Sequence, residues 1–150
     1  MSKIAMEKAG EIIASKTDYV GGGMEGFVVL NLIDEEGYPS GSAITISKAQ
    51  GIEWVSMLTS MNSNKVRRIG KNSKAGLVFA SPEYNISLVG TIEIITDPTI
   101  RKDHWQDVMT ENHGSYDSPD YCMLLFKTNR YNIYLANEGL EVQGRLSQIS

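Results

Sequence analysis

Tyr84-Asn85-Ile86-Ser87-Leu88-Val89-Gly90-Thr91-Ile92-Glu93-Ile94-Ile95 is the stretch that decides the fold class. Tyr84, Ile86, Leu88, Ile92 and Ile94 share one face of a period-two pattern, and Asn85, Ser87, Thr91 and Glu93 share the other. At about 3.3 Å per residue, a strand of this length reaches about 40 Å. So long a strand has to coil, and Gly90 interrupts its apolar face at the place where a bend is easiest. The pattern predicts a small closed barrel whose longest strand serves both halves.

Working outward, the same period recurs in shorter pieces. Phe27 to Ile33 is apolar and β-branched and stops at the turn cluster Asp34-Glu35-Glu36-Gly37. Ser42 to Ser47 follows Pro39, and a third strand, Glu53 to Thr59, follows Lys48-Ala49-Gln50-Gly51. Short strands joined by turns predict an antiparallel meander rather than βαβ units. Residues 121–127 and 131–136 read as a closing hairpin. Helical spacing appears over residues 3–16, over Ser63 to Lys71, and from Pro98 to about Thr110, where Asp97-Pro98 supplies an N-cap and a proline at the first helical position. Residues 111–120 read as a loop. The expected class is mainly β (α+β), a single domain over 1–150 with flanking helices.

Several tempting signals carry little. Gly21, Gly23 and Gly26 match G-x-G-x-x-G, but they precede a strand, whereas the dinucleotide fingerprint follows a strand and opens a helix. His104 and His113 are the two histidines, without further ligand spacing around them, so a metal site, haem ligation and a Ser-His-Asp triad are poor readings. Cys122 is the single cysteine and lies in an apolar run, which predicts a small buried hydrophobe rather than a reactive thiol. With 14 basic and 18 acidic residues the net charge is −4, which argues against a long nucleic-acid footprint. The longest apolar run, Tyr121 to Phe126, is far short of the ~20 residues of a membrane span. The first residues carry charge and no apolar signal core, so the expected compartment is the cytoplasm.

The main electrostatic feature is Lys65-Val66-Arg67-Arg68-Ile69-Gly70-Lys71-Asn72-Ser73-Lys74, five cations without an acid. A solvated helix face explains it on charge alone. A nucleic-acid patch would interleave aromatic side chains, which are missing. A discrete phosphate site is the third reading. Thr59, Ser60 and Ser63 offer hydroxyls, Ser63 or Asn62 can cap the helix, and Lys65 lies in its first turn. Free N–H groups at a helix start, hydroxyls and a lysine together make a receptor for one phosphate. Ser42 to Ser47 has a mixed face suited to a flat, partly polar ring.

Gly37-Tyr38-Pro39, a strand, Leu58-Thr59-Ser60-Met61-Asn62-Ser63-Asn64-Lys65, then Val89-Gly90-Thr91-Ile92-Glu93 and the Arg101-to-Trp105 helix together resemble the pyridoxamine 5′-phosphate oxidase-like family, in its general stress protein branch. The resemblance covers about residues 5 to 137. It implies a six-stranded antiparallel Greek-key split β-barrel and a homodimer with FMN at the subunit interface. It also implies flavin contacts from Ser42, Ala43, Ile44, Thr45, Ile46 and Ser47 beside the ring. Leu58, Thr59, Ser63, Asn64 and Lys65 would lie about the phosphate and ribityl chain, and Asn85 at a position where the family often carries glutamine.

The departures matter as well. The oxidases have arginine at the place of Ser42, a second basic residue is common at Asn64, and a substrate-binding lysine stands at Ser47. Lys48 is one residue off and should face the other way. The oxidases' C-terminal segment has no counterpart after Tyr134. Vitamin-phosphate oxidation is therefore not expected. The resemblance implies a flavin-dependent oxidoreductase using a small-molecule electron donor and acceptor, with a non-catalytic flavin carrier or redox sensor as the alternative. Neither a nucleic acid nor a membrane is an expected partner, and no catalytic acid or base stands out.

Overall fold

A computed structural model describes residues 1–17, 27–105 and 115–146. Gly21, Gly23, Gly26, His113 and the predicted helical residues 106–110 lie outside these. Helix α1 (Ser2–Ser15) precedes strands β1 (Phe27–Ile33), β2 (Pro39–Gln50) and β3 (Trp54–Ser60). Helix α2 (Asn64–Lys71) leads to β4 (Lys74–Ser81) and β5 (Tyr84–Ile95). A short helix α3 (Pro98–Asp103) comes before β6 (Tyr121–Leu135) and β7 (Leu140–Arg145).

The strands follow the order β3-β2-β1-β4-β5-β6-β7, and an additional β3–β6 pairing closes six of them into an antiparallel barrel. The crossover through α2 sets β4 against the far side of β1, so two meanders share one wall and meet again at β3–β6. β7 stands outside the closed ring, paired to β6 alone.

The long strand bends where its sequence says it should. β5 pairs with β6 along its whole length, and the register shifts between Val89 and Gly90. A Cβ on Gly90 would stand 1.9 Å from the carbonyl oxygen of Lys127 and 2.9 Å from its carbon, so only glycine lets the two backbones approach this closely. Ile86, Leu88 and Ile92 face the core with Leu30, Leu77, Leu124, Phe126 and Ile133. α1 joins this core through Ala5, Ala9 and Ile13, one helical face.

Several readings need correction. The helix expected from Pro98 to about Thr110 ends at Asp103, with His104 as its C-cap and Trp105 outside it. Residues 121–127 and 131–136 are not a hairpin; they form one continuous strand. The polar Lys127-Thr128-Asn129-Arg130 that looked like a turn is a bulge. There Thr128 is buried, its N–H donating to the Glu53 carbonyl at 2.9 Å and its hydroxyl to the Ile52 carbonyl at 2.5 Å. The hairpin partner of β6 is instead β7, and both β7 and β4 were absent from the sequence reading. Cys122 is fully buried, and burial pushes its thiol above the ordinary value against a smaller pull from the Arg101 charge. No helix among the described residues is long and apolar enough to cross a membrane.

Candidate functional site

The barrel opens along one seam. β2 and β3 are laddered from Gln50↔Trp54 to Ile46↔Met57, with a bulge between Ile46 and Lys48. Beyond that point β2 continues to Pro39 paired only with β1, while Leu58, Thr59 and Ser60 continue paired to Met123, Cys122 and Tyr121 of β6. Residues 42–45 therefore present to the seam a strand edge with no strand partner among the described residues. Unpaired backbone groups along such an edge need a partner from water or a ligand. Ser42, Ala43, Ile44 and Thr45, the predicted ring contacts, lie on this edge.

Three members of that predicted set are less available. Ile44 and Ile46 are buried. Ser47 sits at the bulge, buried, with its hydroxyl 2.7 Å from that of Ser56. These could offer a ligand only their backbone. Lys48 points elsewhere, as expected: its ammonium donates to the Asp103 carbonyl at 2.9 Å and ties β2 to the end of α3.

At the far end of the seam stands the start of α2. Ser63 is the N-cap; its Oγ accepts from the Val66 N–H at 3.4 Å and from the Thr59 hydroxyl at 3.2 Å. The cap choice left open between Asn62 and Ser63 thus falls to Ser63. It anchors the helix start to the end of β3 and leaves the next N–H groups directed outward with the positive end of the helix dipole.

Of the helix cations, Arg67 donates to Asn64 Oδ1, and Arg68 Nε lies 3.3 Å from Glu35 Oε1. The Glu35 carboxyl is held below the usual range by its own backbone hydrogen bond and then by Arg68. That contact fastens α2 to the β1–β2 turn. Lys65 makes no ion pair among the described residues and is only half-buried. Thr59, Ser63 and Lys65 are thus brought together beside the open end of the seam. The Asn64 side chain is turned along the helix toward Arg67.

Asn85 is not part of this group within one chain. Ile95 of the same strand pairs with Met123 of β6, which on its other edge faces Leu58 at the seam. Asn85 is about ten residues back along β5, on the order of 30 Å away. It faces outward, exposed, opposite Tyr134 of β6. The larger depressions on the chain, of about 430, 440 and 740 Å³, are lined by residues other than those of the seam.

Sequence reasoning used Arg101 only to mark a helix and did not foresee its burial. Its side chain is buried, Nη1 donates to the Ser118 carbonyl at 2.9 Å, and Nε and Nη2 have no hydrogen-bond partner among the described residues.

A closed antiparallel barrel split along one seam, with a capped helix start and an uncommitted lysine at its mouth, defines the split-barrel class. Residues 28–143 match the model of the family described as pyridoxamine 5′-phosphate oxidase like, and the chain belongs to that family. Among solved structures it is similar to a protein related to general stress protein 26 of B. subtilis (pyridoxinephosphate oxidase family) from Clostridium acetobutylicum, with 24% identity over 100% of this chain and 99% of that one, TM-score 0.79. It is also similar to a pyridoxamine 5′-phosphate oxidase-related, FMN-binding protein from Nostoc punctiforme, with 10% identity, 91% and 94% coverage, TM-score 0.62. A heme-binding protein from Mycobacterium smegmatis shares the fold at 17% identity, covering 94% of this chain and 57% of that one, TM-score 0.68. No curated protein matches the chain.

Proposed function

We propose that this chain binds FMN along the β2–β3 seam and acts as a homodimeric flavin-dependent oxidoreductase. The observation that carries the reading is the pairing of an unladdered strand edge at 42–45 with the Thr59–Ser63–Lys65 group at its end. The residues present fit the group. Lys65 and the α2 N–H groups would hold the phosphate, with the Thr59 and Ser63 hydroxyls beside it. The edge of β2 would lie along the ring. A bound flavin supplies hydride transfer, and the chain supplies its orientation and surroundings.

FMN suits the seam better than haem does. The stretches 42–47 and 58–65 contain no histidine, and they do offer a phosphate receptor, which FMN needs and haem does not. Those same stretches contain no acid and no histidine, which favours the second reading, a flavin carrier or redox sensor without turnover. Oxidation of reduced nicotinamide cofactors by the flavin-loaded protein separates the two, since a carrier shows none.

Asn85 supplies the argument for a dimer. A flavin held by Lys65 cannot also reach Asn85 of the same chain, so a site containing both draws Asn85 from a second copy. Stable interfaces of this kind bury more than ~2,000 Å² in total. The expected result in sedimentation with FMN at micromolar concentration is a dimer; a monomer that still binds FMN fully removes Asn85 from the site.

Ser42 gives a further prediction. It lies on the same face of β2 as Ile44 and Ile46 but is exposed, because the ladder to β3 has ended. A guanidinium there would make a bidentate contact with a phosphate held at Lys65. Ser42→Arg is expected to tighten FMN while lowering the thermal midpoint of the flavin-free protein slightly, through repulsion from Lys65. Weaker FMN binding with an unchanged flavin-free midpoint would mean that Ser42 does not face the phosphate.

A further inference from the structure

Arg101 stands on α3 with its side chain against the 115–120 segment that leads into β6, and it is 3% exposed. Arginine is rarely buried unless paired, because a guanidinium out of water needs both hydrogen-bond acceptors and a counter-charge. Arg101 has one acceptor, the Ser118 carbonyl, which takes Nη1 at 2.9 Å. Its Nε and Nη2 are buried and have no hydrogen-bond partner among the described residues. These two atoms form one edge of the planar group. Their N–H bonds point the same way, and this edge can meet both oxygens of a carboxylate. The Nη1 bond to Ser118 holds the edge in a fixed orientation.

No carboxylate on the flanking segments turns to it. Asp97 caps α3 by accepting from the Thr99 N–H at 2.9 Å, and Asp117 accepts from the Ser115 hydroxyl. Asp103 and Asp120 meet Lys48 and the Met61 N–H through their backbone carbonyls. None of the four forms an ion pair among the described residues. The Cys122 thiol feels the Arg101 charge, but burial pushes it up against that pull, so it stays protonated and supplies no negative charge. Water would satisfy the N–H groups and leave the charge unbalanced.

We propose that the Nε–Nη2 edge of Arg101 is a binding site for the carboxylate of a small monoanion, enclosed between α3, the 115–120 segment and the start of β6. Charge selects the class. One buried cation balances the single charge of a carboxylate, whereas a phosphate dianion would leave a surplus charge out of water. Shape agrees, since the guanidinium fork matches a planar carboxylate with two parallel bonds. Enclosure keeps the ligand small. The inference does not depend on the flavin reading, because Arg101 is not among the residues assigned to the seam.

The test follows the Nε–H proton of Arg101 by proton–nitrogen NMR in the full chain, dialysed free of carboxylates. The signal is assigned by its loss in R101K. Sodium acetate, inorganic phosphate and sodium chloride are titrated in separate arms at constant ionic strength. The expected result is a saturable downfield shift with acetate, with phosphate and chloride at least 10-fold weaker. The same shift is expected in Lys65→Ala, so a failure of the phosphate receptor at α2 leaves this result unchanged. Acetate should also raise the thermal midpoint of the native protein, because it binds the folded state. R101K keeps the charge without the edge and R101M removes both, and each should lose that rise. An Nε–H signal that ignores every anion would overturn the proposal and leave water as the partner of Arg101. So would a stronger response to phosphate than to acetate, or an acetate-dependent midpoint that persists in R101M.

Discussion

Gly90→Ala is expected to cost at least ~3 kcal/mol of stability. The added Cβ would fall 1.9 Å from the Lys127 carbonyl oxygen and 3.1 Å from the Asn129 amide nitrogen. Both are backbone atoms, so no rotamer change relieves the clash. β6 cannot retreat, because its other edge is laddered to β3 at the same level, Trp54 opposite Lys127. The bulge and the barrel closure would have to give way together. For a domain of this size the loss lowers the thermal midpoint by about 6–12 °C. Gly70→Ala is the control: it lies in α2 with no atom within 4 Å of the added carbon, and it should stabilise by ~0.5–1 kcal/mol. Equal midpoints for the two variants would remove Gly90 from its role in bending β5.

Lys65→Ala has the largest expected effect on ligand affinity. Arg67 and Arg68 are engaged with Asn64 and Glu35, which leaves Lys65 as the first-turn cation able to meet a phosphate at the Ser63 cap. Its loss should weaken FMN by ~1.5–3 kcal/mol, about 10- to 150-fold. Riboflavin, which lacks the phosphate, should bind nearly as before. Equal losses for the two ligands would show that the lysine supports the helix rather than the phosphate.

How much of this was legible depended on whether the information was local. β5 announced itself through strict alternation and one glycine, and Gly90 sits at the register shift. The α3 start was equally local: Asp97 Oδ1 accepts from the Thr99 N–H at 2.9 Å, with Pro98 following the cap. β4 was missed because its outward positions, Gly76, Val78 and Ala80, are not polar, so the alternation vanished beside a basic run. β7 was missed because it is a short edge strand whose pattern is set by pairing to β6 alone. The break at 127–130 was misread because a bulge that buries Thr128 through contacts to Ile52 and Glu53 has the composition of a turn.

The same division holds for the candidate site. Thr59, Ser63 and Lys65 lie within seven residues and are joined by a cap that sequence spacing reveals. The openness of the β2 edge was not legible, because it depends on where the ladder to β3 stops, and that is decided by β3 turning to β6. The separation of Asn85 from Lys65 depends on β3 pairing with the first half of β6 while Asn85 pairs near its end.

The central claim is that the seam holds FMN, and equilibrium titration of the purified, flavin-free protein with FMN tests it most directly. Visible absorption and flavin fluorescence report the bound state. The predicted result is saturable binding of one FMN per chain, with quenched fluorescence and an altered absorption band, weakened in Lys65→Ala. An absorption spectrum and fluorescence identical to free FMN at every protein concentration would contradict the account.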